Sequence, residues 1–588
     1  MHDLGYLDEV TNRALKQVAV FFAECNFKEL RQSEFPVGDF IAAWQGNIMC
    51  NGVDVSIIVA LTEGFPDELP KIFLTKDFEY LPIPHVDNRL FVCTYVSEST
   101  DFFSENVDGV IRDSIEKARE IISDGIHRVN QSDYEAEFLA YWELDCKSLY
   151  SILEPVDRIR KVKMAIVHLA KHNIAYLVAD DENAIRGFAA NVNPDFSIQK
   201  FDSALYLPLP HPFPPPFPET CKEMFSVLDS YDKKYSNAVV DFLNNNDYQG
   251  TVVFSTIIND NYALAGWRHQ AMNRKEVLRG FRPGKVDPRV LKNLITNQSI
   301  ERLQVERLDL DRVQGRVGNS NSALHGKTIC IIGCGSIGSW IAFNLVQAGI
   351  DRLMLIDKDS LHATNIGRHL CGVTEIKKSK VEAVSERIRQ HLPYVRIQCI
   401  EQTFYKAFTE NQEAIQNCDL IISATANPAL ERRLNKMQLN ASAFPPVLYS
   451  WIEPYGIASH AVLVSTTETS CFECCLDPKD LSFKFQVLRC ERGAFTRQEA
   501  GCQSSFTPYS GLDANQAASI ATRLALKSLS GDITNNIRYV FFGDLQKARE
   551  MELDISEEYT DASDFTMKAS IIQKAPDCKV CSDINNHD

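Results

Sequence analysis

Four cysteines stand in two pairs, Cys471-Phe-Glu-Cys474 and Cys578-Lys-Val-Cys581. Two CxxC knuckles supply four thiolates, the donor set of a tetrahedral structural zinc site. The interval between the pairs is long for a local ribbon and suits a clip that ties a C-terminal tail to the domain body. Cys475, beside the first pair, reads as a bystander. A second group of residues suits phosphate chemistry. Gly333-Cys-Gly335-Ser-Ile-Gly338 lies between a strand-like and a helix-like run, where glycines allow a tight turn and close approach of phosphates to a helix N-terminus. Asp357 ends the next apolar run, where a carboxylate can take ribose hydroxyls. Asn365, Arg368 and Lys380 follow. Hydride transfer has no need of such a set, whereas attack on the α-phosphate of ATP develops charge on phosphoryl oxygens that cations stabilise.

Those residues need a scaffold, and residues 326–400 describe one. GKTICIIG reads as a buried strand, SIGSWIAFNLVQAG as a helix, RLMLID as a second strand, KSKVEAVSERIRQHL as a helix and VRIQCI as a strand. The alternation predicts a parallel sheet with crossover helices. The first 150 residues read differently: helical spacing over 7–32 with Val10, Leu15, Val18 and Phe22 near one face, strand-like runs at Ile41–Trp44 and Val53–Leu61, a proline-bracketed turn and strand in FPDELPKIFL, then helical spacing over 105–127. That order predicts an α+β domain. In the middle, Val162–Ala170 reads as helix and Val252–Ile258 as strand. LPLPHPFPPPFP, residues 207–218, is too rich in proline for a helix or inner strand and reads as a rigid surface loop or strap. The fold class is multidomain α+β and α/β: an α+β domain over 1–150, a linker or docking domain over 151–310 and a Rossmann-like domain with a zinc clip over 311–588.

Composition narrows the class. With 45% apolar and 24% charged residues, the chain can bury cores without disulfide staples. A net charge of −17 argues against broad nucleic-acid or anionic-membrane binding. The 17 cysteines are spread along the whole length, which fits a reducing cytoplasm with metal-bound or catalytic thiols. The N-terminus lacks the basic region of a signal peptide, and no apolar run is long enough for a transmembrane helix.

The strand–GxGxxG–helix unit, the pair Asp357 and Asp359, the pair Asn365 and Arg368, and Lys380 together resemble the adenylation signature of ubiquitin-activating enzymes and their bacterial relatives ThiF and MoeB. The resemblance implies that Asp357 binds ribose and that Asn365, Arg368 and Lys380 surround the phosphates. It further implies an arginine supplied across a homodimer from the segment before the first strand, with Arg312 the first candidate and Arg316 the second. Relatives carry an acid for Mg²⁺ in a turn that here reads Ser423-Ala-Thr425-Ala426-Asn427. With Ala426 in that place, either Mg²⁺ falls to Asp359 or to waters, or adenylation is impaired; the other matching residues favour the first. ThiF-type proteins also carry the paired CxxC site. Cys502, ahead of a helix with Ala514, Ala517 and Ala518, resembles the cysteine that takes the acyl group as a thioester in this family. A thiolate attacks an acyl adenylate readily. Cys490, between Arg489 and Arg492, is the rival, since cations lower a thiol pKa. A buried structural cysteine is the other reading of Cys502.

The first domain resembles ubiquitin-conjugating enzymes. FPDELPKIFL matches their proline-rich strand-turn, and Pro84-His85-Val-Asp87-Asn88 leads to Cys93. His85 stands eight residues before the cysteine, where the family has the Asn of its HPN motif, and could donate a hydrogen bond to the thioester oxyanion. The whole chain thus resembles the bacterial fusion enzymes of cyclic-oligonucleotide-based antiphage signalling (CBASS) operons. The resemblance implies ATP, Mg²⁺ and Zn²⁺ as cofactors, and passage of a protein C-terminal carboxylate from adenylate to Cys502, to Cys93 and to a target amine. It also implies a cGAS-like nucleotidyltransferase as the protein activated and primed. A sulfur-carrier adenylyltransferase is the alternative, though it leaves Cys93 and the first 300 residues without a role; a non-catalytic nucleotide-binding scaffold is the third reading.

Overall fold

The computed structural model describes residues 2–581 apart from 88, 96–100, 144–145, 171–172, 247–248, 271–289, 291, 294, 316–323, 442, 478–482, 485, 490–494 and 499–504. The chain forms two compact units, one of residues 1–168, 174–185 and 198–308, the other of 169–173, 186–197 and 309–588.

The first unit begins with an antiparallel sheet of five strands in sequence order: β1 (Lys28–Glu29), β2 (Ala42–Cys50), β3 (Val53–Leu61), β4 (Lys71–Leu74) and β5 (Phe91–Val92). Val55, Ile57, Val59 and Leu61 alternate on β3 and are buried, the period of a strand with one covered face. Asn51 and Gly52 turn β2 into β3 with positive φ at both residues, the requirement of a tight two-residue hairpin. The helices His2–Glu24 and Val107–Ile126 cover the apolar face, with Val18, Phe22, Ile111 and Ile122 in the shared core. Phe22 stacks on Trp44 at 5.0 Å between centroids.

The same unit holds a closed barrel in the order β10-β11-β12-β6-β8-β7-β9. Its strands are β6 (Lys147–Ser151), β7 (Arg160–Ala170), β8 (Asn173–Ala179), β9 (Ser197–Pro208), β10 (Gly250–Ile258), β11 (Asn261–His269) and β12 (Ile300–Arg307). The helix expected over Val162–Ala170 is therefore a strand. Val162, Met164 and Val167 are buried while Lys161, Lys163 and His168 are more open, and barrel pairing decides what a short apolar run leaves ambiguous. Of the two readings of the proline-rich run the strap fits better, with Pro210, His211, Pro214 and Pro216 exposed on its outer side. Leu209 and Phe213 are buried in the barrel's core, and Phe213 stacks on Trp142 at 5.3 Å. Proline keeps this backbone out of a helix; its interleaved aromatics anchor it inward. The boundary expected at residue 150 falls within β6. Immediately before it, the short helices Asp133–Ala136 and Phe138–Trp142 send Phe138 and Trp142 into the barrel core. The Trp142 indole N–H donates to the carbonyls of Gly266 and Leu303.

The second unit is built on an eight-stranded sheet in the order β15-β14-β13-β16-β17-β18-β21-β22. Strands β13 (Thr328–Ile332), β14 (Arg352–Ile356), β15 (Arg396–Ile400), β16 (Leu420–Ser423) and β17 (Val447–Ile452) are parallel. β18 (Ala458–Val464), β21 (Ile537–Phe542) and β22 (Met567–Ile571) extend it antiparallel; β19 (Arg497–Gln498) and β20 (Ser505–Phe506) form a separate ribbon. The alternation expected over 326–400 is present, with helices Gly338–Gln347 and Lys380–His391 as crossovers. The helix Gly511–Leu529 packs Ala517, Ala518, Ala521 and Ala525 against that core, small side chains that permit close approach. Among the described residues, no helix is long and apolar enough to cross a membrane.

Trp142→Ala removes a fully buried indole and the partner of two carbonyls. It is expected to destabilise the first unit by about 3–5 kcal/mol, read as a shift in the urea midpoint of that unit.

Candidate active sites

Asp87 shapes the loop that presents Cys93. One carboxylate oxygen accepts the N–H of Arg89 at 2.9 Å and of Phe91 at 2.8 Å. His85 and Leu90 take positive φ, Val86 bridges to Val92, and the Cys93 N–H donates to the His85 carbonyl at 2.8 Å. The two residues singled out in sequence thus sit side by side on a cavity of about 340 Å³, which Lys117, Glu120, Asp124, Asp133 and Glu137 also line. Cys93 is exposed, yet packing around its sulfur raises its pKa, as does the negative charge of Glu137; Lys71 opposes them.

His85 is held by residues that sequence reading missed. Its Nδ1 lies 2.9 Å from Glu137 Oε1 and its Nε2 3.1 Å from Asp133 Oδ2. Tyr141 accepts the His85 backbone N–H at 2.6 Å and donates to Glu137 Oε2 at 2.5 Å. The hydrogen bond to Glu137 raises the His85 pKa above the ordinary imidazole value; burial works against it, and Asp133 adds to the rise. Burial would raise Glu137, but its bonds to His85 and Tyr141 outweigh that and leave it lowered. The available signal was the spacing Asp133, Glu137, Tyr141, one helical face at i, i+4.

In the second unit, Gly333 has φ +90, and an added Cβ would lie 2.9 Å from Thr425. At Gly338 a Cβ would lie 1.8 Å from the Gly333 carbonyl, so no side chain fits. Asp357 takes the Cys334 N–H on one carboxylate oxygen and the Asp359 N–H on the other, at 2.8 and 2.9 Å. The buried His369 ring accepts the Cys371 N–H on Nδ1 at 3.0 Å, which puts its proton on Nε2 for the Cys334 carbonyl at 2.7 Å. Burial lowers its pKa and keeps it neutral. This loop opens on a cavity of about 420 Å³ lined by Gly333, Gly335, Asp357, Asp359 and Lys380. Lys380 Nζ lies 3.3 Å from Asp359 Oδ2. Asp357 and Asp359 are the two carboxylates that line this cavity. Ala426 has φ +50, a conformation Asp and Asn adopt more readily than Ala.

Asn365 and Arg368 line a different cavity, of about 950 Å³, with Tyr455, Phe506, Tyr509, Asp513, Asp544 and Lys547. The Arg368 guanidinium lies 4.5 Å from the Tyr509 ring centroid. Tyr509 also meets Ser336 of the glycine loop, hydroxyl to hydroxyl, at 2.6 Å. Arg312 is exposed on the short helix Leu310–Gln314, capped by Asp309, and lines neither cavity. Asn88, Arg316, Cys490 and Cys502 lie outside the described residues. The stretch around the two cysteines is anchored at its described ends. Glu453 accepts the N–H groups of Val487 and Leu488, both at 2.8 Å, and Tyr455 donates its backbone N–H to the Pro508 carbonyl at 2.6 Å.

Cys471, Cys474, Cys578 and Cys581 are buried with their sulfurs within 4.8 Å of one another. Individual separations are 4.0, 3.8 and 3.5 Å. Zn–S bonds of about 2.3 Å place tetrahedral sulfurs roughly 3.8 Å apart, so the set fits zinc. The hydrogen bond from Cys471 lowers the pKa of the Cys474 thiol, while burial raises that of Cys581. Cys475 is buried and outside the set.

The fold and the two sites define an adenylating ligase joined to a ubiquitin-conjugating-like acyltransferase. Residues 312–563 match the ThiF family and residues 32–150 match the prokaryotic E2 family B. The chain thus joins a prokaryotic E2-like segment to a ThiF-like segment. It is similar to an ATP-dependent ubiquitin transferase-like protein Cap2 of Escherichia coli (strain TW11681), at 21% identity over 90% of this chain and 92% of that one. A Pseudomonas aeruginosa (strain BWHPSA011 / Pa011) protein of the same name is 28% identical over 40% and 42% of the two chains. A crystal structure of E. coli MccB with ATP aligns with a TM-score of 0.31 and 18% identity, over 44% of this chain and 68% of that one.

Gly338→Ala is expected to abolish ATP binding in calorimetry, because its Cβ would occupy the space of the Gly333 carbonyl, while zinc content stays at the wild-type level. Conversely, Cys578→Ser is expected to lose zinc in elemental analysis and to lower the melting temperature of the second unit.

Proposed function

We propose that this enzyme activates a protein C-terminal carboxylate and passes it through two of its own thiols. The carboxylate attacks the α-phosphate of ATP, forms an acyl adenylate and releases pyrophosphate. The Cys502 thiolate displaces AMP, the Cys93 thiolate displaces Cys502, and an amine of a target protein displaces Cys93 to give an amide. Gly333, Gly335 and Gly338 give the phosphates their backbone approach, Asp357 takes the ribose and Lys380 meets the phosphoryl charge; Asn365 and Arg368, which line the other cavity, reach that charge past the Tyr509–Ser336 contact. Arg312 completes the site across a homodimer. Mg²⁺, held through Asp359, supplies charge neutralisation at the phosphates; zinc on the four cysteines is structural. The protein activated is a cGAS-like nucleotidyltransferase, primed by conjugation in antiphage defence of the CBASS type, in the cytoplasm.

The observation that carries this reading is the pairing, in one chain, of a glycine-loop cavity bearing Asp357, Asp359 and Lys380 with an exposed Cys93 beside His85. Cys93 is also what separates it from a sulfur-carrier adenylyltransferase, which needs no second thiol of this kind. The test is a nonreducing gel of the protein with ATP, Mg²⁺ and the nucleotidyltransferase. A thiol-sensitive adduct is expected that survives Cys93→Ala and disappears with Cys502→Ala. No such adduct in any lane would overturn the relay with this substrate.

A further inference from the structure

His85 is gripped on both ring nitrogens by carboxylates, Glu137 Oε1 at 2.9 Å and Asp133 Oδ2 at 3.1 Å. A carboxylate only accepts, so each nitrogen presents an N–H, and an imidazole with two N–H groups carries a positive charge and has no lone pair to act as a base. Tyr141 closes the ring of contacts. It accepts the backbone N–H of His85, whose φ is +63, and donates to Glu137. The grip is fixed from behind. Glu137 and Tyr141 lie on one side of the segment while Phe138 and Trp142, each one residue on, are buried in the barrel core. The imidazolium is therefore positioned by the barrel, at the cavity that holds Cys93.

We propose that Asp133, Glu137 and Tyr141 are positioning residues for conjugation, which hold His85 as a fixed cation toward the thioester oxyanion at Cys93 rather than as a general base. The inference rests on Cys93 as the acyl carrier. When an amine nitrogen attacks the thioester carbonyl, the carbonyl oxygen becomes an oxyanion beside the imidazolium. The C–S bond then breaks, the electron pair leaves on the Cys93 sulfur, and the amine's proton goes to solvent, since His85 has no acceptor for it. A preorganised charge at a developing oxyanion lowers the barrier without reorganisation.

Other charged groups of both signs face the same cavity. Asp124 and Glu120 face the cavity from the helix Val107–Ile126, where Lys117 pairs with Glu120 at 3.0 Å. Asp87 is negative in the loop itself, and Lys71 on β4 offsets it near Cys93. Because the His85 pKa is raised in the fold, the cation is present below that pKa and is lost as pH rises through it.

The full-length enzyme is loaded on Cys93, ATP is removed, and discharge to hydroxylamine is followed across neutral pH, while NMR of labelled histidine, assigned with His85→Gln, reads the ring's titration. Wild-type discharge is expected to fall as pH rises through the His85 midpoint. Glu137→Gln is expected to load Cys93, to discharge roughly 10-fold to 100-fold more slowly, and to move both midpoints to lower pH together; Tyr141→Phe is expected to slow discharge with less movement of the midpoint. A discharge rate that climbs with pH through the His85 midpoint, or a Glu137→Gln enzyme with wild-type rate and profile, overturns the proposal. An ordinary His85 midpoint in the wild type overturns the grip alone, whereas failure of wild-type Cys93 to form any adduct overturns the relay on which it rests.

Discussion

The Asp357 carboxylate ties two loops together at the carboxyl edge of the parallel sheet. One oxygen takes the Cys334 N–H from the glycine loop, the other takes the Asp359 N–H from its own loop. Backbone N–H groups withdrawn from water need such partners, and here one side chain supplies both. Around this tie the rest of the second unit's site is arranged. His369 bonds the Cys334 carbonyl, Trp340 bonds the Arg368 carbonyl and Tyr509 meets Ser336. Ligands of open α/β sheets bind outside the carboxyl ends of the strands, and the cavity lined by Gly333, Gly335, Asp357 and Asp359 draws on both loops that Asp357 ties.

The first unit is arranged differently. Its exposed Cys93 sits on a loop that Ile83, Val86 and Val92 pin to the core, and the His85 ring beside it takes its side-chain partners from another segment. The segment from Asp133 to Trp142 supplies them by helical periodicity. Asp133, Glu137 and Tyr141 face His85, while Phe138 and Trp142 belong to a core of aromatic side chains that includes Phe213, Phe254 and Trp267. The proline-rich run belongs to the same arrangement, since its Phe213 packs directly on Trp142. A region that in sequence looked like a linker therefore contributes to the support of the loop that carries His85 and Cys93.

Legibility followed the locality of the physics. The strand–glycine loop–helix unit and the crossover helices rest on contacts between residues close in sequence, and each was readable from its period; the Asn51-Gly52 turn that joins β2 to β3 was as local a signal and went unread. The paired CxxC knuckles were readable because ligand chemistry needs few residue types. Val162–Ala170 was misread because a short apolar run satisfies a helix and a strand about equally; pairing with β8 and β9 within the barrel settles it. Proline content showed what residues 207–218 could not form, and was silent on where their aromatic side chains would go.

By itself the sequence determined the parallel sheet with its glycine loop, the acid after the second strand, the four sulfurs suited to zinc and the neighbourhood of His85 and Cys93, because each depends on residue type at short, fixed spacing. Only the tertiary structure decided that Asn365 and Arg368 line a cavity other than that of Asp357 and Lys380, that the four cysteines converge within a zinc ion's reach, and that His85 is gripped by Asp133 and Glu137. These outcomes depend on how elements pack over long stretches of chain, and no local period encodes which side chains a folded core will bring face to face.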